Sequence, residues 1–213
     1  MNLIKPILFT LLFIGFTQAI KVLLFIVLGY ELFDYYLLSY GTILLISMFL
    51  FVHYTNKDTS AQHLSTDKKW YLIALALFLG LLILKVSVIW IYKYYSSDLG
   101  PSINFFNGAK GLFSLNSFSF LMLIPIANEL FFRGFIQKKL QTHTRPVVAI
   151  VFSSLLFATV PYSELMIIGI YMEFYKPLFT FLAGLILGTL YYKSKALGPS
   201  IVLHILIMIS LAI

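Results

Sequence analysis

The chain has 213 residues, of which 61% are hydrophobic and only 11% charged, with a mean hydropathy of +0.96. A water-soluble domain of this size has no need of so much apolar surface, so the solvent implied is a bilayer. The formal net charge of +7 comes from Lys and Arg spread through short polar stretches without a basic run, which membrane topology accounts for and nucleic acid does not; the absence of cysteine excludes disulfides, thiolate metal sites and a cysteine nucleophile.

Backbone inside hydrocarbon must satisfy its own hydrogen bonds, and long apolar runs with polar punctuation read as helices rather than as an alternating barrel pattern. The expectation is therefore all-α: a multi-pass transmembrane helical bundle of seven or eight membrane helices, forming one integral domain over residues 1–213. The first apolar run covers residues 6–29, is interrupted by Gln18 and Lys21, and is too long and lacks the cleavage pattern of a signal peptide. An acidic turn with Glu31 and Asp34 follows. A second span covers 35–54, and the polar stretch 55–69 holds Lys57, Lys68 and Lys69, with His53 and His63 nearby as ordinary interfacial residues.

The third span, 70–92, contains Lys85 and ends in Trp90, Tyr92, Tyr94 and Tyr95, an aromatic belt of the kind that marks a head-group boundary. Residues 96–116, rich in Gly, Ser and Asn, read as a surface loop. The five residues from Leu99 to Ile103 return from Leu197 to Ile201, but without surrounding similarity this reads as chance or a common turn-then-helix start rather than an internal duplication.

The central helix, 117–139, carries the residues on which a function can rest. Glu129 and Arg133 are one helical turn apart on one face, acid toward the N-terminus, which is the favourable order. Around them the sequence is Phe, Leu, Met, Ile and Ala, and an ionised group at the centre of a membrane helix costs roughly 2.5 to 3.5 kcal/mol, so it is normally paired and turned toward protein or water. Pro125 removes a backbone hydrogen bond and is expected to bend the helix where the polar face begins. A structural ion pair between packed helices and a chemical role are both open on these residues alone.

A polar stretch, 137–145, follows with Lys138, Lys139 and Arg145. A fifth apolar run, 146–160, is barely long enough to cross, and 161–175, polar at Ser163, Glu164 and Glu173, reads as a short tilted or interfacial helix. Residues 176–192 form another span, closed by Lys193 and Lys195, and 200–213 the last apolar helix. In that helix His204 wants a hydrogen-bonding partner, and the Glu129/Arg133 pair is the obvious candidate; a packing histidine is the other reading. Placing the N-terminus and the stretches around 55–69, 137–145 and 193–198 in the cytoplasm collects most of the basic residues on one side, and seven crossings satisfy this.

Taken together, these residues resemble the CAAX-protease and bacteriocin-processing (CPBP, Abi-type) family of intramembrane proteins. That family shows a Glu-Glu-x-x-x-Arg run, then Phe-x-x-x-His, then a late His-x-x-x-Asn after a Gly-Ser-type helix start. Here Glu129, Arg133 and Gly134 match the first run, with Asn128 in place of its leading glutamate. Phe157 opens the second, with Pro161 at the histidine position. His204 opens the third, with Met208 at the asparagine position. The Gly-containing segment 181–188 also looks like the family's helix before the last motif, and the resemblance covers about residues 70–213.

The resemblance implies a metal-free, glutamate-dependent endopeptidase in which the leading glutamate and the second-motif histidine activate water while the late His and Asn stabilise the oxyanion. It implies no cofactor, and one His with one inward carboxylate falls short of the three protein ligands of a catalytic zinc. The departures bear on chemistry. An amide cannot accept the proton a general base must take, proline has no polar side-chain atom, and loss of general-base help removes roughly 10² to 10⁴ in rate. Met208 removes an oxyanion donor. Glu129 or Glu164 as a substitute base is the remaining route to catalysis.

The expectation is a cell-membrane protein, N-terminus in the cytoplasm, with a degenerate protease site. It holds a partner in the bilayer: another membrane protein or a membrane-associated peptide, as in bacteriocin self-immunity, and no nucleic acid. The rival is an active endopeptidase using Glu129 and His204. A small transporter would need inverted repeats or matching broken helices, which are absent from the pattern. Abundant Phe, Tyr, Ile, Lys and Asn fit an AT-rich bacterial genome.

Overall fold

A computed structural model describes residues 4–28, 33–55, 67–95, 115–167 and 175–212. Within them the chain forms seven helices and no strand. They are α1 (Ile4–Leu28), α2 (Phe33–Thr55), α3 (Lys68–Tyr95), α4 (115–141), α5 (Pro146–Ile167), α6 (Tyr175–Ser194) and α7 (Leu197–Ala212). At about 1.5 Å per residue, the 25 residues of α1 and the 23 of α2 exceed the roughly 30 Å of a hydrocarbon core. Three helical stretches among the described residues are long and apolar enough to cross a membrane, Ile4–Leu24, Leu38–Thr55 and Ser119–Gln141, and two shorter apolar ones are Pro146–Val160 and Leu197–Ser210.

The central helix α4 is not uniform. Wide π-type turns at Ser119–Leu123 and Leu130–Gln137 alternate with α-helical Leu115–Phe118, Ile124–Glu129 and Lys138–Gln141. The Ile124 N–H reaches back to the Ser119 carbonyl and the Lys138 N–H to that of Arg133, both five residues away. Pro125 follows the first wide turn directly. Its missing N–H and bulky ring are accommodated there by widening, with Leu123 and Ile124 still in right-handed helical geometry. All eight residues of the second wide turn are buried, because α1, α2, α5, α6 and α7 surround it.

Aromatic rings fill that centre. Phe13 of α1 stacks on Phe131 with centroids 4.2 Å apart, and Phe132 meets Phe157 of α5 edge-on at 5.3 Å. Lipid tails are as apolar as a leucine core, so packing of this kind, worth about 0.5–1.5 kcal/mol per ring pair, contributes in place of a hydrophobic drive. A second apolar cluster, Ala74, Leu187, Leu190 and Leu203, joins α3 to α6 and α7. The turn between α6 and α7 passes through Lys195 at φ 56°, with the Ala196 N–H donating to Ser194 Oγ at 3.3 Å.

Two boundaries differ from the sequence expectation. The polar stretch starting at Gln137 is helix to Gln141, and Gln137 is fully buried because its amide finds partners inside the bundle. The fifth helix does not stop at Val160 but runs through Pro161 to Ile167, so the first part of the expected 161–175 element is a continuation of α5. The side chains of Pro161, Glu164, Lys85, Trp90, Tyr92, Tyr94 and Tyr95 lie outside the description. So do Glu31, Glu173, the repeat from Leu99 to Ile103 and the polar stretches 56–66 and 96–114.

Candidate functional site

Glu129 sits at the end of the α-helical turn of α4 that follows Pro125, and Arg133 lies inside the wide turn beyond it. Both are closed to solvent, and Arg133 Nε lies 3.6 Å from Glu129 Oε2. That is an ion pair at a separation too long for a strong hydrogen bond. The other carboxylate oxygen is engaged from α7: His204 donates Nδ1–H to Glu129 Oε1 at 3.0 Å, across 75 residues of sequence. A short helix opening Leu197-Gly198-Pro199-Ser200 places His204 two turns in, where its face meets α4.

Arg133 has a second anchor. Its Nη2 donates to the Gly184 carbonyl of α6 at 3.1 Å, and one turn on, Gln137 Nε2 donates to the Gly188 carbonyl at 2.9 Å. Each rung spans 51 residues, so the two helices are held in register like adjacent steps of a ladder. Both acceptor positions are glycines with little room for a side chain. A Cβ on Gly188 would stand 2.8 Å from Gln137 Oε1, and one on Gly184 would stand 3.0 Å from Ser154 Cβ. Ser153 of α5 donates to Gln137 Oε1 at 3.3 Å and closes the group.

Phe157 forms the apolar wall. The Arg133 guanidinium lies 5.2 Å from its ring centroid, and the His204 ring meets it edge-on at 5.5 Å. A cation over a ring face gains about 0.5–2 kcal/mol, toward the upper end when desolvated. Ser200, also buried, donates to the Leu197 carbonyl at 2.9 Å.

The structure thus brings together Glu129, Arg133, Phe157 and His204. Asn128 and Met208 are half-buried on α4 and α7, and Pro161 lies within α5. Gln137, Ser153, Gly184 and Gly188 complete the cluster, and their roles were not anticipated. The signal was present: Arg133 and Gln137 share the one-turn spacing of Gly184 and Gly188. Among the described residues no three His, Asp or Glu side chains converge as metal ligands do. Chemically, the group is a carboxylate held from two sides, by a guanidinium and an imidazole, in a site without solvent access.

An all-helical fold with membrane-length apolar helices and a buried Glu-Arg-His cluster is that of a membrane protein. Residues 110–210, which carry every member of the cluster, match the family model described as type II CAAX prenyl endopeptidase Rce1-like. No curated protein and no solved structure matches the chain.

Proposed function

We propose that this is a multi-pass membrane protein in which the protease scaffold is kept and the hydrolytic site is not, so that it acts by binding a partner within the bilayer. The observation that carries this reading is the double engagement of Glu129, by His204 at 3.0 Å and Arg133 at 3.6 Å, with no solvent-exposed surface. A general base must reach the proton it removes. This carboxylate is turned into its own helices, and the neighbouring family positions hold Asn128, Pro161 and Met208, none of which accepts a proton. The partner is another membrane protein or a membrane-associated peptide, with bacteriocin self-immunity one such role.

Seven crossings with the N-terminus in the cytoplasm are favoured by charge, since that arrangement puts Lys5, Lys68, Lys69, Lys138, Lys139, Arg145, Lys193 and Lys195 on one side. The second reading, an active endopeptidase of the CAAX type, is favoured by one observation: the Glu129–His204 contact is a carboxylate–imidazole pair at proton-transfer distance.

The test is hydrolysis of a prenylated CAAX peptide by the purified protein in detergent. No cleavage is expected from the wild-type chain, and gain of cleavage in the double variant Asn128→Glu with Pro161→His supports a decayed site. Cleavage by the wild type that is lost in Glu129→Ala establishes the endopeptidase instead. Copurification of one stoichiometric membrane partner names the binding role directly.

A further inference from the structure

Between α1, α2 and the second wide turn of α4 lies a groove of about 280 Å³ with almost purely apolar walls. Phe13, Met48 and Phe131, all buried, form its interior, and Leu12 and Phe16, 59% and 40% exposed, stand at its rim. Ser47 supplies its one side-chain hydroxyl. Sites that enclose whole drug-sized ligands run to roughly 300–1,000 Å³, so this one suits a segment of a single hydrocarbon chain.

Its position says which chain. The residues of α1 that line it fall inside the membrane-length stretch Ile4–Leu24, and those of α2 inside Leu38–Thr55. The groove therefore opens at acyl-chain depth, on a surface where Leu8, Leu11 and Leu12 are all more than half exposed. The molecules that meet such a surface are lipids, and no charged residue lines the groove to recruit a head group.

We propose that the groove is a binding site for one acyl chain of a bilayer phospholipid. The bound chain rests on Phe131, the first of a line of rings: Phe131 meets Phe132 at 5.0 Å, Phe132 meets Phe157 at 5.3 Å, and Phe157 meets His204 at 5.5 Å. The site thus abuts the far end of the packing that supports the Glu129–His204 contact. The inference requires only that α1 and α2 lie in a bilayer, and it stands apart from whether the polar cluster cuts peptides.

The experiment uses the full chain in phospholipid vesicles doped with a phosphatidylcholine carrying a diazirine on its acyl chain. After irradiation the labelled residues are mapped. Labelling at Leu12, Phe16 and Ser47 is expected to exceed that at the similarly or more exposed Leu23 and Ile26 of α1 and Ile83 of α3 by about fivefold, the preference that a site adds over general lipid contact. Ser47→Trp, which fills the groove, is expected to bring it to the level of Ile83 while leaving Ile83 unchanged; Leu12→Trp at the rim does the same should the first variant fail to accumulate. Even labelling of all lipid-facing residues in the wild type overturns the proposal. So does a groove labelled by an isoprenoid diazirine and not by the acyl probe.

Discussion

Glu129 Oε1 and His204 Nδ1 meet at 3.0 Å and join α4 to α7, while Glu129 Oε2 faces the Arg133 guanidinium. Removing one partner of a buried pair strands the other charge and typically costs about 3–5 kcal/mol, whereas removing both costs far less. Glu129→Ala and Arg133→Leu are each expected to destabilise by that amount, and the double variant by far less than their sum. Denaturation of the detergent-solubilised protein checks this. Additive losses would mean that the two charges do not depend on each other.

The Gln137 rung is a neutral hydrogen bond, so its loss is milder. Gln137→Leu is expected to cost about 1 kcal/mol, well under Arg133→Leu. Gly188→Ala is worse than Gln137→Leu, because the new Cβ meets Gln137 Oε1 at 2.8 Å and Ile150 Cγ2 at 3.2 Å, an overpacking of about 1–3 kcal/mol. Combining Gly188→Ala with Gln137→Ala opens the crowded space. The pair is expected to melt higher than Gly188→Ala alone.

Gly41 of α2 packs closely against α4. A Cβ there would collide with Ser119 Oγ and stand 3.2 Å from Leu123 Cβ and 3.3 Å from Ser119 Cβ. Gly41→Ala is expected to lower stability by about 1–3 kcal/mol, and Ser119→Ala to restore only part of it, since both Cβ contacts remain. By contrast Gly15 and Gly80 have open space at the same position, so alanine at either is expected to leave the melting midpoint unchanged or raise it. A fall at Gly80 equal to that at Gly41 would contradict this.

The helices were legible because apolar runs of membrane length leave little choice of backbone, and Glu129, Arg133 and His204 stood out because charge inside such runs demands a partner. The widened turns of α4 were not legible. A π-type turn adds one residue to a helical turn, and its only trace here was Pro125, which reads equally as a bend. Gln137 was misplaced for a related reason: next to Lys138 and Lys139 it looks like the start of a polar loop, and only the carbonyl of Gly188 explains its burial. Pro161 looked like an end to α5 for the same local reason. Fifteen residues of helix before it make continuation with one missing hydrogen bond less costly than stopping.

Orientation offers the last prediction, and the chain is suited to it because it contains no cysteine. If α1 to α7 each cross once, Lys68, Lys139 and Lys193 lie at helix ends on the same side as Lys5, and Val27, at the far end of α1, lies on the other. By the positive-inside rule, the basic excess near the first set makes that side the expected cytoplasmic one. Single cysteines at Lys5, Lys68, Lys139 and Lys193 are therefore expected to resist a membrane-impermeant maleimide in intact cells and to react after lysis, while Val27→Cys reacts in both. Reaction of Lys193→Cys in intact cells, with the other three protected, would require a further crossing between Arg145 and Lys193. That result would replace the seven-crossing arrangement by eight and put the α6–α7 turn, with the Ser194 and Lys195 corner, on the outer face.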